Sequence, residues 1–248
     1  PLPPEVKRRG YVLFRRHYLR LVMPNAVPRR EDIEAARRVE IFACLGEYEP
    51  LTISVKALRD LKDVSVEVSA LSGPGGASIP RSAFDVRVVR CLRKRITYPS
   101  RLYMLLPILL EPRREVDVPA GKAQRFWITV KVPEGAPPGT YRGELTVRAG
   151  NAAETRVPIA LTVWPFKLEE PPGVTWGLYG NGGWFNSLRS PAEFERDLAE
   201  MREHGLNSVG LCGSDLPDAI EEADGAVRFR LEGRTRWEWF MEAYLKLG

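Results

Sequence analysis

The feature that most constrains the fold is a two-residue alternation of apolar and polar side chains, repeated from Tyr11 to Phe166. In GTYRGELTVRAG, for example, tyrosine, leucine and valine fall on one face of a strand and charged residues fall on the other. A strand with one apolar face needs a second sheet to cover it, so about eight such strands predict an immunoglobulin-like β-sandwich. We expect its core to contain Tyr141, Leu145, Val147, Phe126, Ile128, Ile159 and Leu161.

The alternation ends in the segment WPFKLEEPPGV, at residues 164–174. Two prolines and a glycine after a strand are typical of an extended linker. We therefore predict two domains, an N-terminal β-sandwich at residues 1–168 and a second domain at residues 169–248.

The second region changes to an α/β pattern. VTWGLYG predicts a strand, and SPAEFERDLAEMREHG predicts a helix with Ser190 as its N-cap, Pro191 in its first turn and Glu193 completing a capping box. Gly205 ends this helix, and LNSVGL predicts a second strand. AIEEADGAVRFR is typical of a hairpin, and an apolar stripe from about Arg234 predicts another helix.

These elements follow one another as strand, helix, strand and helix. Together they are too few to form a complete domain. Parallel strands are buried on both faces and need further neighbours. We therefore expect the first portion of a truncated (β/α)8 barrel, which usually takes ~250 residues. The chain also begins at Pro1 without an initiator Met, so we expect that the natural N-terminus is missing. The sequence therefore leaves the cellular location open, with the periplasm and the cell exterior among the alternatives.

Charge and composition narrow the function classes. The net charge is +5, but the arginines alternate with apolar residues along strands, so we expect no nucleic-acid partner. The local cluster of Arg90, Arg93, Lys94 and Arg95 is expected to be a solvated strand face, with a phosphate or acidic-sugar site as the alternative. The longest apolar run, LYMLLPILL, is about half the length of a membrane span.

The titratable residues indicate neither a metal nor a cofactor. Three separated cysteines, Cys44, Cys91 and Cys212, have no zinc-ligand spacing, and only two histidines are present. We expect His204 to bond free carbonyls at the end of its helix. GNGGWF has Phe185 where a dinucleotide-binding motif needs its third glycine.

Several segments together resemble a known family. GEYEPLTISVKAL, FWITVKVPEGAPPGTYRGELTV, LTVWPFKL and DLAEMREHGLNSVGL are similar to glycoside hydrolase family 123-like proteins. The resemblance implies an N-terminal β-sandwich followed by a TIM-barrel glycosidase domain. It also implies β-N-acetylgalactosaminidase activity, in which the acetamido group of the substrate is the nucleophile and an adjacent Asp-Glu pair on a later barrel strand orients it and donates the proton.

No Asp-Glu dipeptide occurs in this sequence, so no catalytic residue can be assigned. The neighbouring Glu31 and Asp32 stand in the opposite order in an irregular segment, where exposed acidic pairs are common. Barrel active sites form at the carboxyl ends of the strands. The candidate substrate-binding residues are therefore those that follow the two predicted strands, namely Tyr179, Asn181, Trp184, Ser214 and Asp215.

Aromatic rings at this rim suit the apolar face of a sugar, and amide or carboxylate groups suit its hydroxyls. The alternative is that the tyrosine and tryptophan plug the barrel mouth. The sequence favours a fragment of a glycoside hydrolase acting on carbohydrate, possessing no catalytic pair of its own. The alternatives are a carbohydrate-binding or cell-surface interaction module and a purely structural sandwich.

Overall fold

The structure is a computed structural model that describes residues 3–96, 101–179, 190–210, 218–223, 226–230, 242 and 245–246. The chain divides into two units, Pro1–Leu168 and Glu169–Gly248. The described strands of the first unit are β1 (Tyr11–Phe14), β2 (Val39–Leu45), β3 (Tyr48–Ala57), β4 (Leu61–Val68), β5 (Leu71–Ser72), β6 (Ser78–Ile79), β7 (Phe84–Arg95), β8 (Tyr103–Glu111), β9 (Glu115–Val118), β10 (Ala123–Lys131), β11 (Gly139–Ala149) and β12 (Ala152–Lys167).

These strands form two sheets. One sheet has the order β1-β3-β10-β7-β8, and the other has the order β2-β12-β11-β4-β9 with β5 and β6 at its margin. Strands β2 and β12 pair in parallel, and the other described pairs of this unit are antiparallel. The shortest strands, such as β5 and β6, raise the number above the eight or so that the alternation predicted.

One hydrophobic core joins the inner faces of the two sheets. In β10 the apolar positions alternate with more exposed ones, and the same holds in β11 and β12, as the sequence pattern predicted. All seven side chains expected in the core are at most 2% exposed, which confirms the prediction for Tyr141, Leu145, Val147, Phe126, Ile128, Ile159 and Leu161. The first unit is therefore a β-sandwich.

Two short helices accompany the sandwich. They are α1 (Pro4–Arg9) and α2 (Arg30–Glu34), and the second lies in the segment without alternation. Strand β8 contains most of the longest apolar run, so this run is an edge strand of its sheet. Within the part of the chain that the structure describes, no helix has the length and apolarity needed to cross a membrane.

The second unit begins with a strand, a helix and a second strand, namely β13 (Gly177–Tyr179), α3 (Pro191–Glu203) and β14 (Ser208–Gly210). Strands β13 and β14 pair in parallel, as predicted. The predicted hairpin is also present, since β15 (Asp218–Ala223) and β16 (Ala226–Arg230) pair antiparallel. The helix predicted from about Arg234 lies almost wholly outside the described residues.

Candidate functional site

The carboxyl ends of β13 and β14 lie side by side in the second unit. Their register pairs Gly177 with Ser208 and Tyr179 with Gly210. Because the strands are parallel, both end at the same edge of the pair. This edge is the candidate site, since the predicted substrate-binding residues end these strands or follow them in the sequence.

The close approach of the two strands requires a glycine at the beginning of β13. A Cβ atom at Gly177 would lie 2.5 Å from the backbone oxygen of Ser208, well inside van der Waals contact. Since that obstacle is backbone and not a flexible side chain, a larger residue would force the strands apart. Gly177 thereby fixes the spacing on which the geometry of the candidate edge depends.

Asn207 holds the opposite, amino-terminal ends of the strands together. Its Oδ1 accepts a hydrogen bond from the backbone N–H of Trp176 at 2.7 Å, and its Nδ2 donates to Val174 O at 3.0 Å. The same Nδ2 donates to Glu170, whose other carboxylate oxygen pairs with Arg202 of α3 at 2.8 Å. Sequence reasoning did not identify this role of Asn207, although an amide at the beginning of a short strand often bonds to neighbouring backbone.

These contacts also act on the carboxylate itself. The hydrogen bonds from Asn207 and Arg202 hold the pKa of Glu170 below its usual value, so the carboxylate is ionised at neutral pH. Linker, helix and second strand are therefore joined by charge-assisted hydrogen bonds on the edge away from the candidate site. The network supports the strand pair.

Helix α3 has the boundaries that its sequence predicted. Ser190 Oγ accepts a hydrogen bond from the backbone N–H of Glu193, and the Glu193 carboxylate accepts one from the N–H of Ser190, which completes a capping box. At the other end, Gly205 adopts a left-handed φ of +83°. His204 Nδ1 lies 2.8 Å from the carbonyl oxygen of Glu200, so the predicted helix-end contact of the imidazole is confirmed.

The predicted site residues are placed only in part. The backbone of Tyr179 ends β13 at the candidate edge. Asn181, Trp184, Ser214 and Asp215 lie outside the described residues, as does the side chain of Tyr179. The assignment of all five to substrate binding stays a prediction.

The acidic pair in the first unit has a structural role. Asp32 is 7% exposed, and its Oδ2 accepts hydrogen bonds from the Arg16 side chain and from the backbone N–H of Arg29. Burial alone would raise the pKa of Asp32, but these hydrogen bonds and the two positive charges hold it below 3.8. Glu31 is exposed and pairs with Arg29 at 3.3 Å. The two carboxylates therefore have different environments and are committed to arginines.

Among the described residues, the cysteines, the possible metal ligands and the basic cluster of β7 form no further candidate site. Cys44 is buried and Cys91 is half-buried, and both are free thiols; Cys212 lies outside the described residues. Among the residues that the structure describes, no three His, Cys, Asp or Glu side chains lie close enough to hold a metal ion. Of the basic cluster on β7, Arg90 pairs with Glu111, and Arg93 lies over the ring of Tyr103 at 5.4 Å.

Residues 30–149 match the family model of the glycoside hydrolase 123 N-terminal domain. This part of the sandwich is therefore similar to that domain, which confirms the coarser part of the resemblance. No curated protein sequence matches the chain.

A family 123 glycoside hydrolase from Clostridium perfringens, described in connection with glycolipid glycan hydrolysis, matches with a TM-score of 0.67 at 14% identity. The match covers 96% of this chain and 45% of that enzyme, so the chain spans about half the length of the enzyme. A PapD-like domain of human CEP192 matches with a TM-score of 0.29 at 14% identity, over 61% of this chain and 99% of that domain. At these identities the likeness to the clostridial enzyme concerns the fold alone.

Proposed function

We propose that this chain is the N-terminal portion of a glycoside hydrolase that acts on N-acetylhexosaminides. In this proposal residues 1–168 are an immunoglobulin-like N-terminal sandwich and residues 169–248 begin a (β/α)8 barrel. The observation that carries it is the parallel β13–α3–β14 unit, which follows a sandwich similar to the glycoside hydrolase 123 N-terminal domain. The fold likeness to the clostridial enzyme, which extends over nearly the whole chain, supports the same assignment.

The immunoglobulin-like character is supported by the tyrosine at the beginning of β11. The Tyr141 hydroxyl donates a hydrogen bond to the carbonyl of Pro137, four residues upstream, at 2.8 Å. A tyrosine that bonds back over the corner between two strands is a hallmark of immunoglobulin-like sandwiches.

The proposed substrate site is the edge where β13 and β14 end. In barrel enzymes the loops at the carboxyl ends of the strands bind the substrate. We assign Trp184 and Tyr179 to stacking on a sugar ring, and Asn181 and Asp215 to hydrogen bonds with its hydroxyls. Each would contribute binding, and binding alone does not lower the barrier to bond cleavage unless it is stronger in the transition state.

Cleavage of a glycosidic bond needs an acid for the leaving group and a second group that stabilises the oxocarbenium-like transition state. In the proposal the substrate acetamido group acts as nucleophile, and the carboxyl groups that orient it and donate the proton come from sequence after Gly248. We therefore expect this chain by itself to bind carbohydrate weakly and to hydrolyse none.

The test is a chromogenic β-N-acetylgalactosaminide assay on this chain and on a longer chain that continues through a complete barrel. We expect turnover in the longer chain only, and a loss of about 5- to 150-fold in kcat/KM on Trp184→Ala, because one stacking contact is worth about 1–3 kcal/mol. Trp176→Ala is the matched control. Trp176 precedes β13 at the opposite edge and is 55% exposed, so its removal should leave kcat/KM unchanged.

Two outcomes would contradict the proposal. Turnover by this chain that is lost on Asp215→Asn or Glu31→Gln would place the catalytic carboxylates within residues 1–248. Saturable sugar binding without turnover in the longer chain would favour the carbohydrate-binding module instead.

A further inference from the structure

Arg125 is a buried cation. It lies on β10 and is 4% exposed. Its terminal nitrogens contact the carbonyl oxygens of Arg16, His17 and Tyr18 at 3.4 to 3.5 Å, which is longer than ordinary N–H···O hydrogen bonds. Among the described residues no carboxylate contacts the guanidinium. Burial, and after it the like charge of Arg16, lower the pKa of Arg125 to about 10.

A second unsatisfied group lies beside it. Arg125 is directly opposite Ser54 in the register of β10 and β3, and Ser54 is fully buried. Arg125 Nε and Ser54 Oγ are both buried without a hydrogen-bond partner in the structure. Thr52, two residues from Ser54 on the same face of β3, donates its hydroxyl to Arg16 O at 2.9 Å. The missing partner is therefore specific to the position beside Arg125.

Arg125 also lines a cavity of about 860 Å³. The charged residues of its wall comprise two acidic and four basic side chains, namely Glu111, Asp117, Arg90, Arg113, Lys122 and Arg125. Both acidic groups are already engaged, because Glu111 pairs with Arg90 and Asp117 pairs with Lys62. The wall therefore has an excess of positive charge around a volume larger than a single ion needs.

We propose that this cavity binds an oxyanion, with Arg125 as the principal ligand and Lys122 as a second cation of its wall. A buried charge is costly when it is unpaired, and an anionic oxygen that hydrogen-bonds to the guanidinium removes that cost. The group that binds is a carboxylate, sulfate or phosphate group. It is carried either by a free inorganic ion or by an acidic sugar such as a uronic acid, which the cavity volume accommodates. The site belongs to the sandwich and does not depend on the proposed hydrolase activity.

The first measurement is the thermal midpoint of the full chain at constant ionic strength, with chloride replaced stepwise by sulfate, phosphate or glucuronate. At an anion concentration of about 100 times Kd, we expect a rise of roughly 5–10 °C. A rise with glucuronate but not with glucose would indicate an acidic sugar, and a rise with sulfate or phosphate alone would indicate a free ion.

Sulfate and phosphate also stabilise proteins non-specifically, so variants must separate the two effects. Arg125→Met removes the charge at similar side-chain length. We expect its midpoint without added anion to equal or exceed that of the unmodified chain, and its anion-dependent rise to shrink to the non-specific part. Arg93→Met is the matched control, since Arg93 is exposed on β7 outside the cavity wall and its loss should leave the rise intact.

Isothermal titration calorimetry supplies a second readout that does not depend on the methionine variant folding. Lys122→Gln removes one positive charge of the cavity wall and should weaken anion affinity by about 2- to 5-fold. Equal anion responses in the unmodified chain and Arg125→Met would overturn the proposal. So would the absence of saturable heat with all three anions in the unmodified chain.

Discussion

The two units of this chain differ in how completely their elements cover one another. In the sandwich, two sheets share a core that includes Ile53, Phe126, Tyr141 and Ile159, each at most 2% exposed. In the second unit, Leu198 of α3 is the one large apolar side chain buried among those that the structure describes. Two sheets that each have one apolar face can bury these faces against each other, whereas a parallel strand pair needs helices and further strands to cover both of its faces and its edges. The described residues of the sandwich therefore bury an extensive apolar core, whereas those of the second unit bury little apolar surface.

The units also differ in charge. Residues 1–168 contain 29 Lys and Arg against 17 Asp and Glu, whereas residues 169–248 contain 8 against 15. The net charge of +5 for the whole chain is therefore the sum of a strongly basic sandwich and an acidic second unit. Anionic ligands are therefore favoured by the charge of the sandwich and disfavoured by that of the second unit, a difference that the average charge of the chain conceals.

The largest expected effect is on the core of the sandwich. Leu145→Ala should lower the free energy of unfolding by about 2–5 kcal/mol, because Leu145 is fully buried between the sheets and its truncation leaves a cavity. Urea denaturation followed by circular dichroism measures the change. Leu109→Ala, on the edge strand β8 where the side chain is 42% exposed, is the matched control and should cost far less. Equal losses at the two positions would contradict the assignment of the core.

A smaller effect is expected at the partly buried ion pair between Arg16 and Asp32 of α2. Asp32→Asn should cost about 1.5–3 kcal/mol, because three hydrogen bonds to one charged oxygen are weakened and Arg16 loses its partner. Glu31→Gln changes the adjacent, exposed carboxylate and should alter stability by no more than about 0.5 kcal/mol.

This ion pair also predicts a pH dependence. The pKa of Asp32 is lower in the folded protein than the ordinary 3.8, so its contribution to stability is complete above that value and is lost as the pH falls through the folded pKa. The difference in unfolding free energy between the unmodified chain and Asp32→Asn should therefore shrink below about pH 4. A difference that is constant from pH 7 to pH 2 would show that the carboxylate charge is not what stabilises the contact.

The smallest effect is expected in the second unit. Ser190→Ala removes the N-cap of α3 and should cost about 1 kcal/mol. Hydrogen exchange is the measurement, because amides of residues 191–203 should exchange about 5-fold faster while those of the sandwich strands are unchanged. Ser190→Asp keeps a capping oxygen and should restore most of the protection. Exchange that is equally slow in both units of the unmodified chain would remove the contrast between them.

Much of the local structure could be predicted from the sequence. The alternation in β10, β11 and β12 identified the buried face because successive side chains of a strand point to opposite sides. Ser190 and Glu193 marked the beginning of α3, and Gly205 marked its end, because capping depends on residues within one turn. The parallel pairing of β13 with β14 followed from the helix between them.

Contacts between distant residues were decided by the tertiary structure. The sequence by itself determined which residues form strands, where α3 begins and ends, and which faces are apolar, since each of these depends on neighbours within a few positions. The strand order brought β3 beside β10 and so placed Ser54 opposite Arg125, and the same fold brought Arg16 to Asp32 and Asn207 to Glu170. No local pattern encodes such pairs, because their geometry depends on the register and packing of whole sheets.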